Sequence, residues 1–157
     1  MKKISVLFVC LGNICRSPAA EAIFINLICK KGLSDRFIVD SAGTGSWHIG
    51  KKSDIRMRIA AEKRNVKILS RARQLNARDF EIFNYILTMD NSNFNNVKGL
   101  KNRNNLSNFA NIKKIQDYRS AFQVKEVPDP YFGGEEGFED VLNILEDSVS
   151  GFLKSIS

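Results

Sequence analysis

The sequence predicts an α/β fold: a single domain over residues 1–157, with a parallel four-stranded sheet and helices on both faces. Three observations carry this expectation. Ile4 to Val9 is an apolar, β-branched run interrupted only by Ser5, the pattern of a strand covered on both faces. Strand-like and helix-like segments then alternate along the chain, as they do where helices cross over between parallel strands. The 157 residues are enough to bury one core without disulfides or metals, and no linker or internal repeat divides them.

The elements follow in order. After the first strand, Ser17-Pro18 reads as a helix start, with serine as N-cap and proline at the first helical position. Ala20, Ile23, Phe24, Leu27 and Ile28 continue at helical spacing, and Gly32 ends the run. Arg36 to Asp40 is the second strand. Ser41 to Lys52 holds three glycines without periodicity and is expected as a loop. Ser53 begins a second helix carrying Ile55, Ile59 and Ala60. Asn76 to Asp79 has the form of a capping box opening a short helix, and Tyr85 to Met89 is the third strand. Residues 91–111 contain nine asparagines, which leaves the choice between helix and loop open; Asn111 to Ile115 is a weak fourth strand. Glu126 to Gly134 is a loop. In the last helix, Phe138, Val141, Leu142, Leu145, Val149, Phe152, Leu153 and Ile156 share one face. Its early acids Glu135, Glu136, Glu139 and Asp140 suit the positive end of the helix dipole.

Composition narrows the function classes. With 43% hydrophobic and 26% charged residues, the chain is built like a folded globular protein. No apolar run approaches the roughly 18–20 residues of a membrane span. The basic, apolar start breaks at Gly12-Asn13 and reads as a strand, not a signal peptide. Three cysteines, Cys10, Cys15 and Cys29, argue against a disulfide scaffold. A single histidine, His48, argues against a zinc site, so neither metal nor cofactor is expected. The net charge of +7 fits either nucleic-acid binding or attraction of a small anion. The charge is uneven: residues 1–127 hold 23 Lys and Arg against 10 Asp and Glu, residues 128–157 one against seven.

The chemistry concentrates in Cys10-Leu11-Gly12-Asn13-Ile14-Cys15-Arg16-Ser17, between the first strand and the first helix. Ligands of open α/β sheets bind at the carboxyl ends of strands. Such a turn directs successive N–H groups at an anion, aided by a helix N-terminus, so a phosphate-binding loop is expected here. Gly12 and Asn13 tolerate left-handed backbone, and Arg16 adds a planar fork matched to phosphate oxygens. Cys10, at the base, feels the N–H groups, the dipole and Arg16; each favours the nucleophilic thiolate. The spacing C-x5-R alone is weak, but followed by Ser-Pro between a strand and a helix it is far more specific. A Walker-type loop is absent.

At these residues the chain resembles the low-molecular-weight protein tyrosine phosphatase family. Val9 to Pro18, then Ala20-Glu21, are similar to its amino-terminal signature. Ser41-Ala42-Gly43-Thr44, Trp47 and Gly50 are similar to its second loop. Arg71-Ala72-Arg73-Gln74-Leu75, Met89-Asp90 and Asp129-Pro130-Tyr131 extend the match through most of the chain. The resemblance implies that Cys10 attacks phosphorus and forms a phosphocysteine. It implies that Arg16 and the loop from Leu11 to Ser17 hold the oxygens, and that Asp129 protonates the leaving phenolate and then activates water. Ser17 is implied as donor to the sulfur and Asn13 as a brace reaching Ser41. Trp47, Tyr131 and Phe132 are implied as walls for an aromatic ring. The family's histidine before Arg-Ala-Arg-Gln is replaced by Ser70, while Asn13 and Glu21 are kept, so the support under the loop is expected to differ.

Other readings stand beside this one. An arsenate reductase on the same fold would use the same loop, but such enzymes usually carry distal cysteines, and none follows Cys29. A non-catalytic anion or nucleic-acid binding module needs no nucleophile. Asp129-Pro130 alone is a common turn. His48 is expected as a loop residue, Cys29 as an inert buried thiol, and Cys15 as either a small core residue or a disulfide partner guarding Cys10. The expected partner is a phosphotyrosine protein or an aryl phosphate, with neither nucleic acid nor membrane, for a monomer in the cytoplasm.

Overall fold

The computed structural model describes residues 2–157; Met1, the first residue of the expected domain, lies outside the described residues. Four strands form one parallel sheet in the order β2-β1-β3-β4: β1 Ile4–Cys10, β2 Phe37–Gly43, β3 Tyr85–Thr88 and β4 Asn111–Lys114. The helices between and after them are α1 Arg16–Lys30, α2 Ile55–Glu62, α3 Asp79–Ile82, α4 Asn91–Arg103 and α5 Glu135–Ile156. Among the described residues no helix is long and apolar enough to cross a membrane.

Alternation along β1 divides the core. Val6 and Phe8 face a cluster built with α1, α2 and α5, while Leu7 and Val9 face a second cluster with Phe80, Ile86 and Val97. All four β1 residues are fully buried, which is why the strand reads as a continuous apolar run. Phe24 of α1 anchors the larger cluster. Its ring meets Phe8 at 5.9 Å, Phe37 at 5.1 Å and Phe152 at 5.9 Å between centroids. These are edge and tilted contacts of the kind that adds to simple burial.

Several expectations change in detail. α1 begins at Arg16 with Cys15 at the N-cap, so Ser17 and Pro18 lie inside the first turn and Ser17 caps nothing. The N-cap of α2 is Asp54, which accepts from the Arg56 N–H, and not Ser53. That helix buries Met57, Ala60 and Ala61, while Ile55 and Ile59 are exposed. The capping box at Asn76 is half formed: Asp79 accepts from the Asn76 N–H, while Asn76 accepts from Arg78 in a local turn. The asparagine-rich tract is largely helical, since Asp90 caps α4 through the Asn93 N–H and Val97 is buried beneath it. Cys29 is exposed, correcting the expected buried thiol. It stands four residues after the exposed Ile25, on the row of α1 that faces solvent.

The strand order sets the site. From β1 the chain moves outward to β2, then crosses back to β3 on the other side, so the loops after β1 and β3 diverge to opposite faces. That divergence opens a crevice at the carboxyl end of the sheet.

Candidate active site

Cys10 is the last residue of β1, and residues 11–15 curl from it into α1. The carbonyl of Cys10 and three of the loop's own carbonyls are bonded to neighbouring backbone. Cys10 O accepts from the Thr44 N–H, Leu11 O from Gly45, Ile14 O from Asp54 and Cys15 O from Ala19. Its N–H groups are left over: those of Gly12, Ile14 and Cys15 have no acceptor among the described residues, and that of Asn13 meets Cys10 Sγ at 3.3 Å. Successive inward N–H groups at a helix N-terminus form an anion nest. Left-handed backbone is needed at Asn13 only, at φ 57°, and not at Gly12 as the sequence suggested. Gly12 has another constraint: a Cβ there would lie 3.0 Å from the His48 ring. At Gly43 a Cβ would meet Leu11 O at 2.8 Å, because the end of β2 runs flush against the loop.

Asn13 ties the loop down. Its Nδ2 donates to Ser17 Oγ at 2.8 Å and to Ser41 Oγ at 3.0 Å, and its Oδ1 accepts from the Arg73 N–H at 2.9 Å. Ser41 Oγ in turn donates to Glu21 Oε1 at 2.6 Å. The link from Asn13 to Glu21 therefore runs through Ser41, which is how the loop is braced with serine at position 70. Burial pushes the Glu21 carboxyl above the usual carboxylate range, against hydrogen bonds from Ser41 and Ser70.

Cys10 is buried, with Ser17 Oγ 3.0 Å from its sulfur. Arg16 is 2% exposed. Its Nη1 donates to Asp90 Oδ2 at 2.6 Å and to the Val127 carbonyl at 3.0 Å, and its Nη2 lies 3.6 Å from Asp129 Oδ2. Burial disfavours the guanidinium charge, but Cys10, Asp90 and Asp129 outweigh it, and Arg16 is held in its charged form. Burial, then Asp54, pushes the Cys15 thiol up, so that sulfur stays protonated beside the loop. Asp129 opens toward solvent, its Oδ1 accepting from the Tyr131 N–H at 3.1 Å.

These groups surround a cavity of about 190 Å³ with Cys10, Arg16 and the loop at its base and Asp129 at its side. Trp47, Tyr131 and Phe132 border its mouth. The Tyr131 and Phe132 rings meet edge-on at 4.9 Å, and Phe132 is 94% exposed. The Trp47 indole lies flat on Gly45, where a Cβ would come within 1.8 Å of it. Of the residues singled out from the sequence, Cys10, Leu11, Gly12, Ile14, Cys15, Arg16, Trp47, Asp129, Tyr131 and Phe132 line this one crevice, while Asn13 and Ser17 stand behind the loop, bonded to each other.

Three contributors were not assigned roles from the sequence. Asp90 carries Arg16, His48 lines the cavity, and Arg56 donates to the Tyr131 carbonyl at 2.9 Å while its own carboxylate partner is Asp54. Asp90 had a signal, since it lies just beyond a strand of the parallel sheet.

The family model for low molecular weight phosphotyrosine protein phosphatase matches residues 5–157. The chain belongs to the low-molecular-weight phosphotyrosine protein phosphatase family. The family's fission yeast member, from Schizosaccharomyces pombe, is 45% identical over 157 residues, covering 99% of both chains. A protein tyrosine phosphatase from Entamoeba histolytica, solved with Hepes in the active site, superposes with a TM-score of 0.91 at 40% identity. It covers 98% of this chain and 97% of its own. A Drosophila arginine phosphatase superposes at 0.92 and 35% identity, over 100% and 98% of the two chains. Neither the arsenate reductase nor the binding-module reading is favoured by these relatives.

Proposed function

We propose that the protein hydrolyses phosphotyrosine and related aryl phosphate monoesters through a phosphocysteine intermediate, acting as one domain over residues 1–157. Cys10 is the nucleophile and attacks phosphorus in line with the leaving oxygen. The nest N–H groups and Arg16 hold the equatorial oxygens and stabilise the charge of the transition state, so no step calls for a metal. Asp129 protonates the departing phenolate, then takes a proton from the water that cleaves the thiol-phosphate. Ser17 donates to the sulfur and eases its departure. The observation that carries this reading is one buried sulfur, 3.0 Å from Ser17 Oγ, at the base of unbonded N–H groups beside Arg16.

The aromatic mouth supports an aryl substrate. Trp47, Tyr131 and Phe132 can each stack on a ring, worth about 0.5–1.5 kcal/mol per pair. The fold alone does not decide between a phenyl ester and the substrate of the arginine phosphatase it resembles; these rings favour the ester. A nucleophilic thiol also favours a reducing compartment, the cytoplasm.

The test is p-nitrophenyl phosphate and phosphotyrosine turnover in the presence of a chelator. Wild type is expected to turn over both, and Cys10→Ser neither, while still binding vanadate. Asp129→Asn is expected to slow phosphotyrosine far more than substrates with very good leaving groups. Equal losses across a leaving-group series would remove Asp129 from the acid role.

A further inference from the structure

A second cleft, of about 470 Å³, lies on the far side of Trp47 from the catalytic cavity. Leu11 and Trp47 border both spaces, so a chain leaving the cavity crosses this sill to enter the cleft. Thr44 and Gln74 line it where β2 ends, the Gln74 amide donating to the Thr44 carbonyl at 3.3 Å. Asn96 and Arg103 of α4 line it too; seven residues apart, they stand on one face of the helix.

The chemistry of the lining is one-sided. Among the described residues no aspartate or glutamate borders the cleft. Arg103 is its one cation, and among the described residues it has no carboxylate within ion-pair distance. Arg103 also lies back along its helix: its Nη1 is 2.9 Å from where a Cβ on Gly99 would be, a path that only glycine leaves open. Asn96 adds an amide donor. A planar guanidinium with amide donors recognises a carboxylate.

We propose that this cleft is a substrate subsite that takes an acidic side chain, aspartate or glutamate, flanking the phosphotyrosine of a protein substrate, with Arg103 as its partner. The proposal rests on the phosphotyrosine reading of the catalytic cavity and adds to it a preference for sequence. The net charge of +7 draws acidic partners in general, whereas Arg103 selects one position.

The experiment compares kcat/KM on phosphotyrosine peptides that differ only in glutamate, alanine or lysine at each flanking position in turn, with p-nitrophenyl phosphate as reference. Arg103 is exposed at the end of α4 and outside the catalytic cavity, so Arg103→Gln and Arg103→Glu should fold. Wild type should prefer glutamate at one or two positions. Arg103→Gln should remove about two- to five-fold of that preference, the scale of one exposed ion pair. Arg103→Glu should invert it toward lysine. Both variants should match wild type on p-nitrophenyl phosphate and on the alanine peptide, and the wild-type preference should shrink as salt is raised. A wild type indifferent to flanking charge, or a preference that survives Arg103→Glu, would overturn the subsite. Failure of wild type to hydrolyse p-nitrophenyl phosphate would instead overturn the phosphatase reading itself.

Discussion

Replacing Asn13 by alanine tests the brace under the phosphate loop. The change deletes three hydrogen bonds, the buried ones to Ser17 Oγ and Ser41 Oγ and a part-buried one to the Arg73 N–H. At a net value of about 1 kcal/mol each, their loss costs about 3 kcal/mol. Alanine must also adopt the left-handed backbone at φ 57°, which costs about 1 kcal/mol more. The total, about 4 kcal/mol, is a large share of the 5–15 kcal/mol that holds a typical domain together. Asn13→Gly loses the same bonds without the backbone strain, so it should be milder by about 1 kcal/mol. Urea unfolding of the three proteins measures both terms. Steady-state kinetics on p-nitrophenyl phosphate measures the catalytic consequence: kcat falls and KM rises in both variants, because Ser17 loses its orientation and the N–H cradle loosens. An Asn13→Ala protein within 1 kcal/mol of wild type, with kcat intact, would refute the reasoning.

Two further outcomes are expected. Burial raises the Glu21 carboxyl pKa in the folded protein, so folding favours its proton. The stability this contributes is fully present below the unfolded glutamate value and is lost as pH rises through the folded value. Glu21→Gln should therefore gain in melting temperature relative to wild type as pH rises from about 4, and a difference that stays flat would contradict the burial argument. Gly151→Ala places a Cβ 2.0 Å from the Tyr118 carbonyl, where α5 meets the turn Ile115–Tyr118. The overpacking cost of about 1–3 kcal/mol should outweigh the roughly 1 kcal/mol helix gain, and a raised melting temperature would show that the turn yields freely.

Legibility in the sequence followed the range of the interaction. The first strand and the turn from it into a helix could be read because they are local features of contiguous residues, although the helix is capped at Cys15 and not at Ser17. The exposure of Ile55 and Ile59 could not. In a helix of eight residues two faces carry apolar side chains, and only packing decides that Met57, Ala60 and Ala61 go inward. Cys29 was misread for a related reason: it neighbours the buried Ile28 in sequence but shares its row with Ile25. The link from Asn13 through Ser41 to Glu21 depends on β2 lying beside β1, a register that no local pattern encodes.

Asp90 shows how topology recovers what local pattern loses. It is 74 residues from Arg16, so nothing in the spacing of either residue pairs them. Yet all four strands are parallel, and every residue just past a strand's carboxyl end must lie on the same edge of the sheet. Cys10 and Leu11 stand there after β1, Thr44 to Trp47 after β2, and Met89-Asp90 after β3. The strand order places β3 directly beside β1, so the first carboxylate after β3 falls next to the loop after β1. That carboxylate has two oxygens and uses them separately: Oδ1 accepts from the Asn93 N–H and starts α4, while Oδ2 takes the Arg16 guanidinium. The charge that begins a helix is therefore the charge that orients the arginine, and α4 in turn carries Asn96 and Arg103 to the cleft beyond Trp47.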